Sequence, residues 1–167
     1  YDSGPIAVDG FIPQSDEQPT ASYNSVSPGY FATLGIDLVS GRDFTTADNE
    51  ASEPVAIVGE TMVGQFWRGE SPVGKRLQTG GRWRRIVGVA KNIKFESLLD
   101  EPRPLFYVPL RQNFSTAGAI FIRTRKSPEA LSPILAREIH ALDPRLAPYE
   151  VFTMREQVRR ATSSQRT

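Results

Sequence analysis

Short apolar runs bounded by turn residues recur along the chain, and stretches with apolar residues every three or four positions lie between them. The runs predict strands, because buried strands are short, apolar and bounded by turn residues. The longer period predicts helices that bury one face. Strands are predicted at residues 5–8, 21–27, 54–59, 76–78, 83–90, 105–110, 117–124 and 148–152, and helices at residues 28–35, 60–67, 128–142 and 153–160. The pattern therefore predicts an α+β fold of short elements.

The two ends of the chain each predict a strand followed by a helix, and a region richer in strands lies between them. This order indicates a discontinuous lobe with a second lobe inserted into it. We predict that residues 1–36 and 116–160 form the first lobe and that residues 37–115 form a smaller inserted lobe of mixed α/β structure. Residues 161–167 are predicted to be a tail. A structure in which the two sets fail to separate would contradict this division.

Two of the predicted helices carry clear start or stop signals. Ser27 can cap a helix, Pro28 suits its first position, and Gly35 can end it in the left-handed conformation. Ser127-Pro128 gives the same start signal for the longest helix, with Ser132-Pro133 as the alternative start. We expect this helix to bury an apolar stripe. The stripe consists of Leu131, Ile134, Leu135, Ile139 and Leu142.

The composition is that of an ordinary folded domain. The 167 residues are 39% hydrophobic and 23% charged, and the net charge at pH 7 is +1. This balance provides no field that would attract nucleic acid or an anionic membrane. The absence of cysteine excludes disulfides, a thiolate nucleophile and the usual structural zinc sites. No apolar run approaches the roughly 18 residues of a membrane span. The chain begins at Tyr1 without an initiator methionine, so we expect a fragment of a longer protein.

The candidate chemical groups do not form a catalytic or metal-binding pattern. The single histidine, His140, lies off the apolar stripe of its helix, so we expect it at the surface. Four carboxylates in one polar segment have a spacing that does not fit a calcium loop. They are Asp43, Asp48, Glu50 and Glu53. We therefore expect this segment to be a solvated loop.

The basic residues likewise indicate no site. Gly74-Lys75-Arg76 lacks the glycine-rich lead-in of a phosphate-binding loop, and Arg76 stands where serine or threonine should follow the lysine. Arg82, Arg84 and Arg85 alternate only loosely with apolar residues, so we expect a half-buried strand with its arginines in solvent. The sequence thus predicts no catalytic, cofactor-binding or metal-binding residue.

Several segments, in their order along the chain, resemble the periplasmic core domain of MacB-like and FtsX-like ABC transporter permeases. The longest is Ser27–Phe44, with the sequence SPGYFATLGIDLVSGRDF. The others are residues 54–58, 66–67, 71–76, 86–89, 101–104, 107–109 and 153–154. The ordered set spans about residues 21–160. It is especially similar to the large permeases of soil bacteria in which the membrane and periplasmic units are duplicated.

The resemblance implies a two-lobed domain between the first and second membrane helices of a permease. The lobe of residues 1–36 and 116–160 would be porter-like, of βαβ type, without its first strand and helix. The implied role is to relay conformational change and to bind a partner or substrate at the periplasmic face of the bacterial inner membrane. The domain would be no enzyme and hold no cofactor, because ATP is hydrolysed by a separate cytoplasmic domain or subunit.

The partners that the resemblance implies are the permease's own transmembrane helices and its ATPase, a periplasmic adaptor or a substrate, and a second copy in the full-length protein. Nucleic acid is not among them. Two other functions stay open. A direct small-molecule or lipoprotein-binding module would need a mostly apolar pocket with a few converging polar groups. A carboxylate-based hydrolase would need two carboxylates in one cleft whose environments separate their pKa values.

Overall fold

Seven strands pair into one sheet in the described part of the chain, which comprises residues 2–13, 18–92, 103–115, 118–146 and 150–163 of a computed structural model. The strands are β1 Asp2–Val8, β2 Thr20–Val26, β3 Leu38–Gly41, β4 Val55–Gly59, β5 Arg76–Thr79, β6 Arg82–Ala90 and β7 Leu105–Pro109. The helices are α1 Tyr30–Leu34, α2 Glu60–Met62, α3 Pro128–Leu142 and α4 Met154–Ser163. A π-helical turn Val63–Trp67 continues α2, and a 3₁₀ turn Leu110–Gln112 follows β7. None of the described helices has both the length and the apolar character needed to cross a bilayer.

The sheet closes on itself. Its order is β3-β6-β4-β7-β2-β1-β5, and β5 pairs again with β6. Six strands therefore form a ring, and β3 is attached to it through β6. The first part of β6 pairs with β5, and its last part pairs with β3. Every ring strand therefore pairs with two neighbours, although β1 pairs with β2 through residues 2–5 and with β5 through residues 6–8.

A bulge in β6 and two glycines, Gly41 in β3 and Gly88 in β6, let β3 lie close to the ring. Ala56 of β4 is opposite Ile86, whereas Ile57 is opposite Gly88, so β6 contains an extra residue at Val87. A Cβ atom on Gly88 would lie 2.7 Å from the backbone oxygen of Arg42. The register and these contacts leave no room for a side chain at this position.

The core has two parts because alternate residues of each strand point to opposite faces. Phe106 and Val108 belong to the cluster inside the ring, whereas Tyr107 belongs to a cluster on its outer face. α1 covers this outer face, where the Phe31 ring lies 4.9 Å from the Tyr107 ring. The inner cluster also contains Met62, Phe66 and Trp67 from α2 and its π-helical continuation.

The structure divides the chain differently from the prediction. One compact unit comprises residues 1–93 and 101–121, and the other comprises residues 94–100 and 122–167. β2, from the predicted first lobe, pairs in parallel with β7, from the predicted inserted lobe. β1, also from the predicted first lobe, pairs antiparallel with β5 of the predicted inserted lobe. β1 and β2 of the predicted first lobe thus belong to the same sheet as β5 and β7 of the predicted inserted lobe, so the predicted boundary at residues 36–37 does not separate two units.

Several predicted elements are confirmed, and two strands are not. The structure contains the strands at 21–27, 54–59 and 105–110 and the hairpin at 76–90 with small shifts in their ends. Residues 118–124 of the predicted strand 117–124 form no strand, and neither do residues 150–152 of the predicted last strand. The remaining residues of these two predictions lie outside the described part. An apolar run becomes a strand only where it pairs with a neighbouring strand, and residues 118–124 and 150–152 pair with none of the described strands.

The second unit contains α3 and α4. α3 begins at Pro128 after Ser127, as predicted, and continues through Pro133 rather than starting there. Its predicted stripe is not buried. Leu131, Leu135 and Ile139 are half-buried, and Ile134 and Leu142 are exposed. α4 begins with a capping box, in which Glu156 N–H donates to Thr153 Oγ1 and Thr153 N–H donates to Glu156 Oε2.

Candidate functional site

The segment Ser27–Phe44 forms α1, β3 and their connections. α1 begins after Gly29, which has φ 83°, so Pro28 precedes the helix instead of occupying its first position as predicted. Gly35 ends the helix with φ 71°, which confirms the predicted stop. Tyr30 and Phe31 are buried on the outer face of the ring. The segment therefore acts in packing.

The end of this segment is held by a buried carboxylate. Arg42 donates from both Nη atoms to the two Oδ atoms of Asp48, each at 2.8 Å. The backbone N–H of Thr45 also donates to Asp48, at 2.8 Å from Oδ2. These bonds, above all those from Arg42, lower the pKa of Asp48 although burial acts to raise it. Asp48 is thus a fixed, ionised anchor of the turn after β3.

Replacing Asp48 with asparagine should lower the free energy of unfolding at pH 7 by about 1–3 kcal/mol, because the charge-assisted bonds from Arg42 are lost. The lowered pKa gives the direction of the pH dependence. The stabilisation by Asp48 is complete above the unfolded-state pKa of about 3.9 and is lost as the pH falls through the lower folded-state pKa. Urea titrations at a series of pH values should therefore show the difference between Asp48→Asn and wild type shrinking below about pH 4.

The matched control is Glu70→Gln. Its carboxylate is paired with Lys75 on the surface, where the two side chains are 75% and 37% exposed. An exposed pair contributes little to stability, so this variant should unfold like wild type at pH 7. A deficit for Asp48→Asn that is equal at pH 7 and pH 3 would contradict the proposed role of the ionised carboxylate.

The other acidic residues of this loop are ordinary surface groups. Glu53 accepts a hydrogen bond from Arg85 Nε at 2.8 Å, and Glu50 lies 3.5 Å from Arg111 Nε. Asp43 accepts from the backbone N–H of Phe44. The loop brings no three of these carboxylates together, and no group of three metal-ligating side chains occurs among the described residues. The predicted solvated loop is confirmed except at Phe44 and Asp48, which are buried.

The remaining candidates for chemistry do not converge on a cleft. His140 is exposed on α3, as predicted. Four described carboxyl groups have shifted pKa values, and hydrogen bonds lower all four, whereas a general acid needs a raised pKa. They are Asp48, Glu70, Glu129 and Asp143. None of these four groups therefore has the raised pKa that a general acid requires.

The arginines of β6 have three different environments. Arg85 is exposed and paired with Glu53. Arg82 is exposed and approaches the backbone oxygen of Gln112 at 3.5 Å. Arg84 is only 5% exposed, so the prediction that these arginines lie in solvent is wrong for this residue. The reason is strand alternation, since Arg84 is on the same face of β6 as Ile86, which is in the inner cluster of the ring.

Arg84 lines a cavity of about 200 Å³ at one end of the ring. The cavity, here named the Arg84 pocket, is also lined by Tyr23, Thr79, Arg82, Val108 and Asn113. Its residues lie at the start of β6 and near the end of β7, whereas α2 follows the other end of β4. The Nε and Nη1 atoms of Arg84 are buried and have no hydrogen-bond partner among the described residues. Burial, followed by the charge of Arg82, lowers the pKa of Arg84.

The sequence contained a signal for this inward arginine. In the run WRRIVGVA, residues 84 and 86 share one face and residues 83, 85 and 87 share the other. An arginine in phase with Ile86 is therefore a candidate for burial. The signal does not decide the matter, because only closure of the ring turns that face into an interior.

Comparison with known proteins agrees with the resemblance. Residues 4–139 match the family described as the MacB-like periplasmic core domain. Over 103 residues, or 62% of the chain, the sequence is 30% identical to an uncharacterized ABC transporter permease, YknZ of Bacillus subtilis. The matched stretch is 25% of that protein, so the chain spans about a quarter of the length of this relative.

Solved structures share the fold. The periplasmic region of MacB from Actinobacillus actinomycetemcomitans matches with a TM-score of 0.62 and 21% identity, over 84% of this chain and 63% of that one. The extracellular domain of the YknZ transporter from Gram-positive bacteria matches with a TM-score of 0.57 and 21% identity, over 90% of this chain and 80% of that one. Since the family match covers all of the closed sheet except the first two residues of β1, together with most of α3, this chain belongs to the family of MacB-like periplasmic core domains.

Proposed function

We propose that the chain is the extracytoplasmic domain of an ABC transporter permease and relays conformational change between the membrane part of that permease and partners or substrate outside the membrane. The observation that carries the proposal is the family match over residues 4–139. The relative in Bacillus subtilis is named an ABC transporter permease, which supports the same assignment. ATP would be hydrolysed by a separate cytoplasmic domain or subunit.

The construction of the first unit suits a relay. A body that transmits motion must move as a whole and must not deform. The closed sheet has a packed cluster on each of its faces, and close-packed interiors resist compression. A boundary between two compact units, such as that near residues 121–122, is where relative motion between them can occur.

Because this chain has no cysteine, a thiol engineered into it can test the proposal in a full-length permease from whose other parts any cysteines have been removed. Ala136 is exposed on α3, so Ala136→Cys provides a reporter of membrane sidedness. In intact bacteria whose outer membrane, if present, is permeabilised, a maleimide that cannot cross the inner membrane should label this residue. Labelling that appears only after lysis of the inner membrane would overturn the extracytoplasmic assignment.

A pair of spin labels tests the relay. Gln65 is exposed in the first unit and Ala136 in the second. In the reconstituted permease, the distance distribution between labels at Gln65→Cys and Ala136→Cys should differ between nucleotide-free and ATP-bound states. The control pair, Thr46→Cys and Gln65→Cys, lies within the first unit and should not change. If both pairs are insensitive to ATP, the domain does not relay motion by movement of one unit against the other.

A further inference from the structure

We propose that the Arg84 pocket binds a small oxyanion, either a carboxylate or a phosphate group, with Arg84 as its principal ligand. This site is separate from the relay function, since it lies within the first unit and requires no motion. Nothing in the sequence pattern alone assigned a ligand to this end of the ring.

The first argument is the unpaired charge. Arg84 carries a full positive charge at any physiological pH, and only 5% of the residue's surface is exposed to solvent. The Nε–H and the Nη1 hydrogens have no partner among the described residues. A buried ion without compensation is strongly unfavourable, so buried charges are normally paired. An anion bound in the adjoining pocket would supply the missing counter-charge for Arg84.

The second argument is the character of the lining. Arg82 adds a second cation, and burial and Arg82 both act to destabilise the charged form of Arg84. No carboxylate lines the pocket in the described residues, so the protein itself offers no counter-ion there. The hydroxyl groups of Tyr23 and Thr79 are further groups that can donate to an oxyanion. Opposite charge and converging donors are the features by which proteins recognise carboxylate and phosphate.

The third argument is that neighbouring polar groups are already satisfied, whereas Arg84 is not. The Gln112 amide, which also lines the pocket, makes four hydrogen bonds to the chain. Asn113 Nδ2 donates to Ser25 Oγ at 2.8 Å. These bonds hold the rim of the pocket in place, so Arg84 lines a preformed cavity. Its volume of about 200 Å³ is large enough for a phosphate or acetate ion.

Water is the competing occupant. A cavity of about 200 Å³ is large enough to hold several water molecules. Water can accept hydrogen bonds from Arg84 but cannot neutralise its charge or that of Arg82. An oxyanion does both, and a dianionic phosphate should bind more tightly than acetate because two cations line the pocket. A titration can distinguish the two occupants, because bound water would give no saturable response to added anion.

The test is a titration of the 167-residue chain, followed by NMR of backbone amides and of arginine Nε–H groups. Sodium phosphate and sodium acetate are added separately at constant ionic strength, with chloride as the balancing ion. Binding predicts saturable shifts at Arg84 Nε–H and at the Thr79 and Asn113 amides, with half-saturation at least a few-fold lower for phosphate. Shifts for acetate alone would identify a carboxylate site. Linear shifts, or shifts spread over the exposed arginines, would overturn the proposal.

Two variants provide an independent measurement. Arg84→Met removes the buried charge with little change in length, and Arg85→Met removes an exposed charge from the next position of the same strand. Phosphate at constant ionic strength should raise the Tm of wild type and Arg85→Met by a few degrees. It should not raise the Tm of Arg84→Met beyond the effect of chloride. Equal responses in both variants would contradict the site. If Arg84→Met does not fold, the NMR titration of the wild-type chain alone decides.

Discussion

Replacement of Gly41 by alanine should lower the free energy of unfolding by about 3 kcal/mol or more. Gly41 has φ +78°, a conformation that costs other residues about 1–2 kcal/mol. An added Cβ would also lie 2.2 Å from the carbonyl oxygen of Val87 and 2.6 Å from the Cα of Gly88. These are backbone atoms of β6, so the clash can be relieved only by moving β3 away from the ring. Chemical denaturation followed by far-UV circular dichroism measures the loss.

Gly10 offers a control that separates the two causes. Its φ is +79°, nearly that of Gly41, but no atom lies within 4 Å of the position where its Cβ would be. Gly10→Ala should therefore cost only the conformational part, about 1–2 kcal/mol. The difference between the two variants measures the close approach of β3 to β6. If both variants lose the same free energy of unfolding, the close approach of β3 to β6 does not require glycine at position 41.

Replacement of Gln112 by leucine should destabilise the first unit by about 2–4 kcal/mol. The Gln112 side chain accepts a hydrogen bond from the backbone N–H of Val55 at 3.0 Å. Its Nε2 donates to the backbone oxygens of Asn49 and Glu53 and to Ser52 Oγ. One amide thus joins the turn after β7 to the loop before β4. Leucine would fill the space but would leave the hydrogen-bond partners of the Gln112 amide unpaired. The buried N–H of Val55 would then be desolvated without an acceptor, which is the largest part of the expected loss.

Gln78→Leu is the corresponding control. The Gln78 amide makes one exposed hydrogen bond, to the backbone oxygen of Gly81 at 3.2 Å, within its own hairpin. Water can replace that bond, so we expect a change within about 0.5 kcal/mol. Thermal and urea unfolding of both variants would make the comparison. A loss for Gln112→Leu no larger than that for Gln78→Leu would contradict the linking role of Gln112.

Local signals in the sequence were sufficient to predict most of the individual strands and helices. The run Val55–Gly59 is apolar throughout and is buried throughout, as a central strand should be. Pro128 and Gly35 mark a helix start and a helix end through their own backbone preferences, and these need no distant partner. The resemblance, of which Ser27–Phe44 is the longest segment, was sufficient to identify the family.

Features that depend on distant partners could not be predicted in this way. The sequence order suggested two lobes, whereas β2 finds its partner in β7, far along the chain. Residues 118–124 have the composition of a strand but pair with no described strand. Arg84 is of the same residue type as Arg82 and Arg85 and lies on the same strand, and only the closure of the ring places it inside. The Arg84 pocket was missed for that reason.

The position of β7 in the ring has a consequence for the order of folding. β7 is the last strand of the sheet to be synthesised, yet it lies between β4 and β2. Its pairing of Ser22 with Leu105 closes a long loop, and such non-local contacts slow folding. Before β7 is in place, β4 and β2 each have an unpaired edge, and unpaired edges invite association with other chains. The unit should therefore be most vulnerable to aggregation while the chain emerges, and protected once residues 105–109 have inserted.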